Sequence, residues 1–363
     1  MRFVSPALKH IVFPALSRSG YLRRSVGAGP AVVTYHGVFP PGYEFRNATL
    51  DGHLVRTDSL RRQLQLLKKR YHVIVPEEFL SWSDGQTSLP PRSILLTCDH
   101  ALQNTLTEMV PVLRELDLSC LFLVTGASAE EPPSMLWYQE LYLMLLDAGE
   151  PVTLNLSEVG FKIDKLDPTE KHSCWWNLVQ RLSQFDRSTR RGALNHVRDQ
   201  LRLSEDWGAR FTQNAAVASR FLTLDLHGLR QLAASGMTIG AHSLSHPVLA
   251  RAPNDLAWRE ISESRSVLEK AIGRKVWAFG YPFGNAATVT MRDVRLAEEA
   301  GFRCAFMNAD GGFGAKIDRF TVPRVPVTSN MSLAEFEAHV AGFYRTLRKR
   351  FLRASKLEAT MGA

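Results

Sequence analysis

The stretch Met237-Thr238-Ile239-Gly240-Ala241-His242-Ser243-Leu244-Ser245-His246 decides how this chain is read. It begins as a short, mostly apolar run of the kind that forms a buried strand, and it stops in two histidines four residues apart. Upstream, Asp225–Ser235 has helical periodicity and ends at Gly236, a residue suited to the left-handed close of a helix. Downstream, Asn254–Ile272 is again helical and ends at Gly273. The same alternation recurs along the chain. Ala31–Tyr35, Val73–Val75, Ser93–Cys98, Ser119–Val124, Val276–Phe279 and Val325–Val327 read as further buried strands, with helical patterns at Leu60–Arg70 and Leu102–Leu116. Strand and helix in alternation predict an α/β fold with a largely parallel sheet.

In parallel α/β folds the loops that follow the strands carry the site. Three predicted strands here end in ligand-capable residues: Ala31–Tyr35 in His36-Gly37, Ser93–Cys98 in Asp99-His100, and Met237–Ala241 in His242 and His246. Neutral imidazole suits zinc, cobalt, nickel or iron. On spacing alone, H-x-x-x-H describes solvated histidines equally well. The convergence of three strand ends favours a metal site.

Residues from about 130 to 220 break the rhythm. They open on Glu130-Glu131-Pro132-Pro133, are rich in Leu and Trp in helical spacing, and offer few strand candidates. They are read as a helical insertion between two halves of one barrel.

On these residues the chain resembles the polysaccharide deacetylase family with a NodB homology domain, the carbohydrate esterase 4 type. The resemblance covers residues 30–125 and 220–330. Gly240-Ala241-His242-Ser243-Leu244-Ser245-His246-Pro247 matches the family's second motif, and Leu95-Leu96-Thr97-Cys98-Asp99-His100 stands where the family has T-F-D-D. Gly280-Tyr281-Pro282-Phe283-Gly284 is a loose match to its third, R-x-P-Y. The resemblance implies a distorted (β/α) barrel and a metal-dependent hydrolase that removes N-acetyl groups from amino sugars of a polysaccharide or glycan intermediate. Its cofactor would be a divalent metal, with zinc expected, and its partner an N-acetylated glycan.

The family's roles carry over one position at a time. Asp99 falls on the general base, with a helix N-cap as its plainer role. His242 and His246 fall on metal ligands. His100 replaces the family's second Asp and makes a three-histidine site, which is sound for catalytic zinc. The backbone N–H of Phe283 falls on the oxyanion donor. The arginine of the third motif, which orients the base, is replaced by Gly280, and Arg324 in Pro323-Arg324-Val325 is the candidate substitute. Val33-Thr34-Tyr35-His36-Gly37 resembles the N-terminal segment of a permuted branch, which makes His36 the candidate acid. The fourth motif is not recognisable near Asn308–Gly314, and Gly311–Lys316 reads as a loop because a phosphate loop would need G-x-x-x-x-G-K-[ST]. The alternatives are a non-catalytic carbohydrate-binding protein on the same scaffold, and a hydrolase of another amide or an O-acetyl ester.

Composition narrows the field further. The 363 residues are 45% hydrophobic and 22% charged, a globular balance. The net charge of +8 is not a nucleic-acid footprint. Residues 1–30 hold five cations and no acid, and residues 341–363 hold six cations and one acid, so the body between them is close to neutral. The four widely spaced cysteines predict buried free thiols. No run reaches the roughly 20 apolar residues of a membrane span, nor a signal-peptide core, so a cytoplasmic location is expected. The basic, amphipathic segments at 1–29 and 331–363 either cap the barrel of residues 30–330 or lie on the inner, anionic membrane face.

Overall fold

The computed structural model describes residues 6–24, 29–130, 132–149, 152–309 and 318–343. The sequence-predicted loop Gly311–Lys316 lies outside them. Among the described residues there are ten strands: β1 Ala31–Tyr35, β2 His72–Ile74, β3 Ser93–Asp99, β4 Leu121–Val124, β5 Val152–Leu156, β6 Phe161–Leu166, β7 Thr238–Ala241, β8 Ala278–Gly280, β9 Cys304–Phe306 and β10 Val325–Pro326. Eight of them form one all-parallel sheet in the order β10-β1-β3-β4-β7-β8-β9, with β2 paired to the first half of β3. The sheet curls back on itself. A parallel bridge joins Phe306 at the end of β9 to Val322, three residues before β10. The fold is the distorted (β/α) barrel expected from the sequence.

Strand periodicity sorts the side chains to two faces. Val32, Leu95, Leu121, Leu123, Ala278 and Phe306 fill the inside of the curl, while Val33, Leu96, Phe122, Ile239 and Phe279 pack outward under the helices. On β3 the inward series Leu95, Thr97, Asp99 ends on a carboxylate at the carboxyl end of the barrel. Two inward positions are glycines with little room above them. A Cβ at Gly240 would come 2.7 Å from Leu123 Cδ2, and one at Gly280 would come 2.6 Å from Leu123 Cδ1 and 3.0 Å from His242 Nδ1.

The insertion has its own hydrophobic core, built on the helices Trp137–Asp147, Lys171–Leu182 and Arg187–Gln200. It is not wholly helical. β5 and β6 form an antiparallel hairpin, a pairing that the charges at Lys162, Asp164 and Lys165 conceal in the sequence. The terminal segments pack on each other: Phe13 and Leu22 are buried against Ala338 and Ala341, and Arg70 Nη1 reaches Glu337 Oε2 at 2.5 Å. Ile11, 68% exposed, stays in solvent. All four cysteines are buried and unpaired. Among the described residues no helix is long and apolar enough to cross a membrane.

Candidate metal centre and catalytic cleft

Two strand ends deliver the imidazoles and the carboxylate. β3 runs out into Asp99 and His100, β7 into His242, and the loop after β7 turns His246 back toward them. Tight turns are needed to do this. His100, Ala101, Ser243, His246 and Phe283 all have positive φ, between 49° and 75°, a conformation that costs a side-chain-bearing residue energy and persists where surrounding contacts impose it. Those contacts are present. His100 N–H donates to Leu123 O at 2.9 Å and His242 N–H to Val124 O at 2.8 Å. Ser245 N–H donates to Glu260 Oε2 at 2.7 Å, and the Trp137 indole N–H to His246 O at 3.2 Å.

The result is a cluster in which ligand nitrogens of His100, His242 and His246 lie within 4.8 Å of one another, all buried. The residues fit a metal. His242 Nδ1 sits 2.7 Å from Gly280 O, which fixes the proton on Nδ1 and leaves the Nε2 lone pair for a cation. The Nε2 atoms of His100 and His246 face each other at 3.2 Å, and His246 Nδ1 is buried with no hydrogen-bond partner. Burial lowers the pKa of all three below the ordinary histidine value, and neighbouring imidazoles push His100 and His246 down further. They are neutral at pH 7, the form that binds metal.

Asp99 is held by Arg324 through two nearly parallel bonds, Nη1–Oδ1 at 2.6 Å and Nη2–Oδ2 at 2.8 Å. Arg324 is itself fully buried and anchored by Nε to Met307 O. Burial alone would raise the Asp99 carboxyl, but Arg324 and His242 reverse this and hold it well below the usual carboxylate range. The close approach of His242 to Gly280 explains why no side chain rises from β8 to hold Asp99. That space is taken, and the cation comes from beside β10 instead.

His36 lies beside this pair, with Nε2 3.6 Å from Asp99 Oδ2. Burial lowers its pKa to about 3, against the opposing pull of Asp99. An acid role therefore requires His36 to take up a proton first. Phe283 sits on the cleft rim with its ring 4.8 Å from that of His246, centroid to centroid. The structure thus brings Asp99, Arg324, His36, Phe283, His100, His242 and His246 to one place.

They open into a cleft of about 400 Å³. Four of its lining residues escape sequence reading. Tyr138, whose hydroxyl is 3.4 Å from His100 Nε2, and Trp176 both come from the insertion, where aromatic residues at helical spacing read as core. His53, with its ring 4.9 Å from His36, has no motif around it. Asn308 follows β9, a strand whose Cys304-Ala305-Phe306 carries no β-branched residue to mark it in the sequence, and its Oδ1 is buried without a partner.

Comparison with known proteins gives a partial family match and a shared fold. Residues 209–305 match the family model described as polysaccharide deacetylase. Over those residues, which carry β7, β8 and the two histidines His242 and His246, the chain is similar to that family. No curated protein matches it by sequence. Among solved structures it is similar to the Streptococcus pyogenes deacetylase PplD in complex with acetate, at 15% identity and a TM-score of 0.53, over 86% of this chain and 98% of that one. It is similar to IcaB from Ammonifex degensii at 16% and 0.54, over 87% and 98%. A de-N-acetylase from Aggregatibacter actinomycetemcomitans gives 12% and 0.51, over 85% and 99%. At such identities these structures establish the shared fold, here the deacetylase barrel.

Proposed function

We propose that this protein is a metal-dependent N-deacetylase acting on the amino sugars of a polysaccharide or a glycan intermediate, with zinc at His100, His242 and His246. The observation that carries the proposal is the buried Asp99–Arg324 pair, whose carboxylate lines the cleft one residue from His100. It supplies a carboxylate that stays ionised and fixed in orientation beside three neutral imidazoles. A divalent cation held by those imidazoles would supply Lewis acidity toward an acyl oxygen and a water.

The chain's own residues do the rest. Asp99 accepts the proton of the attacking water. Arg324 keeps its two oxygens in register and keeps them charged. His36, neutral at rest, takes that proton from Asp99, whose Oδ2 lies 3.6 Å from its Nε2, and passes it to the departing sugar amine. The Phe283 backbone N–H donates to the oxygen that becomes charged as the carbonyl is attacked. The match of residues 209–305 to the polysaccharide deacetylase family model and the likeness to deacetylase structures support the reaction class. An exopolysaccharide intermediate is the proposed setting.

The test is transition-metal content by mass spectrometry together with acetate release from N-acetylated chito-oligosaccharides, for wild type and His100→Ala. About one metal per chain and acetate release in wild type, both lost in His100→Ala, is the expected result. Metal retained in His100→Ala would remove His100 from the ligand set. Wild type without metal after reconstitution, or with metal but no acetate release from any N-acetylated sugar, would overturn the proposal.

A further inference from the structure

The barrel supplies every group in the proposed chemistry, yet much of the cleft wall comes from elsewhere. Tyr138, Tyr142, His172, Trp175 and Trp176 all belong to two insertion helices, Trp137–Asp147 and Lys171–Leu182. Their rings form a connected series that starts at a proposed metal ligand. Tyr138 lies 4.8 Å from His246, and Tyr142 lies 5.2 Å from Trp175. Trp176 meets Phe283 edge-on at 5.3 Å. The Trp175 indole N–H donates to Tyr138 O at 2.7 Å, which fixes one helix against the other. Trp175 is buried in this packing, whereas Trp176 is only half-buried and lines the cleft.

Charge is the second observation. Among the described residues lining the cleft, Asp99 and Arg220 are the only carboxylate and the only Lys or Arg side chain. Each is already matched, Asp99 by Arg324 and Arg220 by Asp51 at 2.8 Å. Apart from the proposed metal centre, the described wall offers rings and no unpaired carboxylate, lysine or arginine. A surface of that kind recognises a ligand with apolar faces and hydroxyl edges, and gives nothing to a carboxylate or phosphate. The unpartnered Asn308 Oδ1 adds an acceptor for a hydroxyl or amide N–H.

We infer that the insertion builds a sugar subsite beside the metal centre, in which Trp176 stacks on an uncharged pyranose next to the one that loses its acetyl group, so that the protein selects neutral N-acetylated glycans over acidic ones. The position of the reacting sugar rests on the proposed deacetylase activity; the subsite is tested by binding.

Calorimetric titration with N,N′-diacetylchitobiose, and with a hyaluronan disaccharide as the acidic probe of matched size, is made on the full chain in an Asp99→Asn background that suppresses turnover. The neutral disaccharide should bind more tightly than the acidic one. Trp176→Ala should weaken the neutral disaccharide by roughly three- to tenfold, the size of one aromatic contact. Trp176→Phe should restore most of the loss, and this separates stacking from a folding defect. Equal affinity in Trp176→Ala, preference for the acidic probe, or no binding of either would overturn the inference. The parent reading is scored separately by acetate release with Asp99 intact. Binding in this pattern without acetate release leaves the subsite standing and removes the hydrolase. Acetate release with an unchanged KM in Trp176→Ala removes the subsite and leaves the hydrolase.

Discussion

The barrel and the insertion reach the same cleft by different means. From the barrel come carboxylate, guanidinium and imidazole groups at strand ends, held by backbone turns so tight that five side-chain-bearing residues there take positive φ. From the insertion come rings, held by packing and two indole hydrogen bonds, on helices with ordinary backbone. Backbone strain fixes an atom within tenths of an ångström, which bond-making needs; stacked rings tolerate small shifts, which is enough for binding. The division predicts that barrel substitutions act on rate and insertion substitutions on affinity.

The largest effect belongs to Asp99→Asn. It keeps the shape of the side chain and removes its basicity, so acetate release should fall about 10²–10⁴-fold, the usual worth of a positioned base, while KM stays close to wild type. A variant that keeps its rate would place the chemistry elsewhere in the cleft and break the comparison at its stronger end.

Arg324→Ala comes next, read as stability. It strands the Asp99 carboxylate in a buried site, where loss of one partner from an ion pair costs about 3–5 kcal/mol. Urea unfolding should show this, and Arg324→Lys should recover only part, because a single ammonium cannot reproduce two parallel bonds to one carboxylate. A loss below about 1 kcal/mol, the scale of exposed pairs, would mean that the pair is hydrated and orients nothing.

The same division explains what the sequence discloses. Barrel strands are short apolar runs that stop abruptly at Asp99, His242 or His36, and the end of such a run at a polar residue is visible in one dimension. Arg324 is visible only as a cation near a strand; its bond to Asp99, 225 positions away, depends on the curl of the sheet. β9 is missed because Cys304-Ala305-Phe306 has no β-branched residue, unlike the equally short β2, which carries Val73 and Ile74. The insertion hides its contribution most fully. Tyr138, Tyr142, Trp175 and Trp176 have the spacing of a helix core, and core is what two of the three helices mostly make of such residues. Only the cleft on their outer side turns Trp176 into a contact surface.

Trp137 joins the two regions, and Trp137→Phe is the finest cut between them. The indole ring covers the Arg190 guanidinium at 4.9 Å, while its N–H donates to the carbonyl of His246. Phenylalanine keeps a ring over the arginine and deletes the donor, so the turn that carries His246 loses one of the contacts holding its positive φ. The direct cost should be one ordinary hydrogen bond, about 0.5–1.5 kcal/mol in urea unfolding. If the insertion helps to hold the metal centre, metal should also dissociate faster from Trp137→Phe than from wild type when a chelator is added. If stability drops by that amount and metal release is unchanged, the barrel alone fixes His246, and the insertion serves the cleft only as a wall. The comparison then sharpens into a strict separation of rate from recognition.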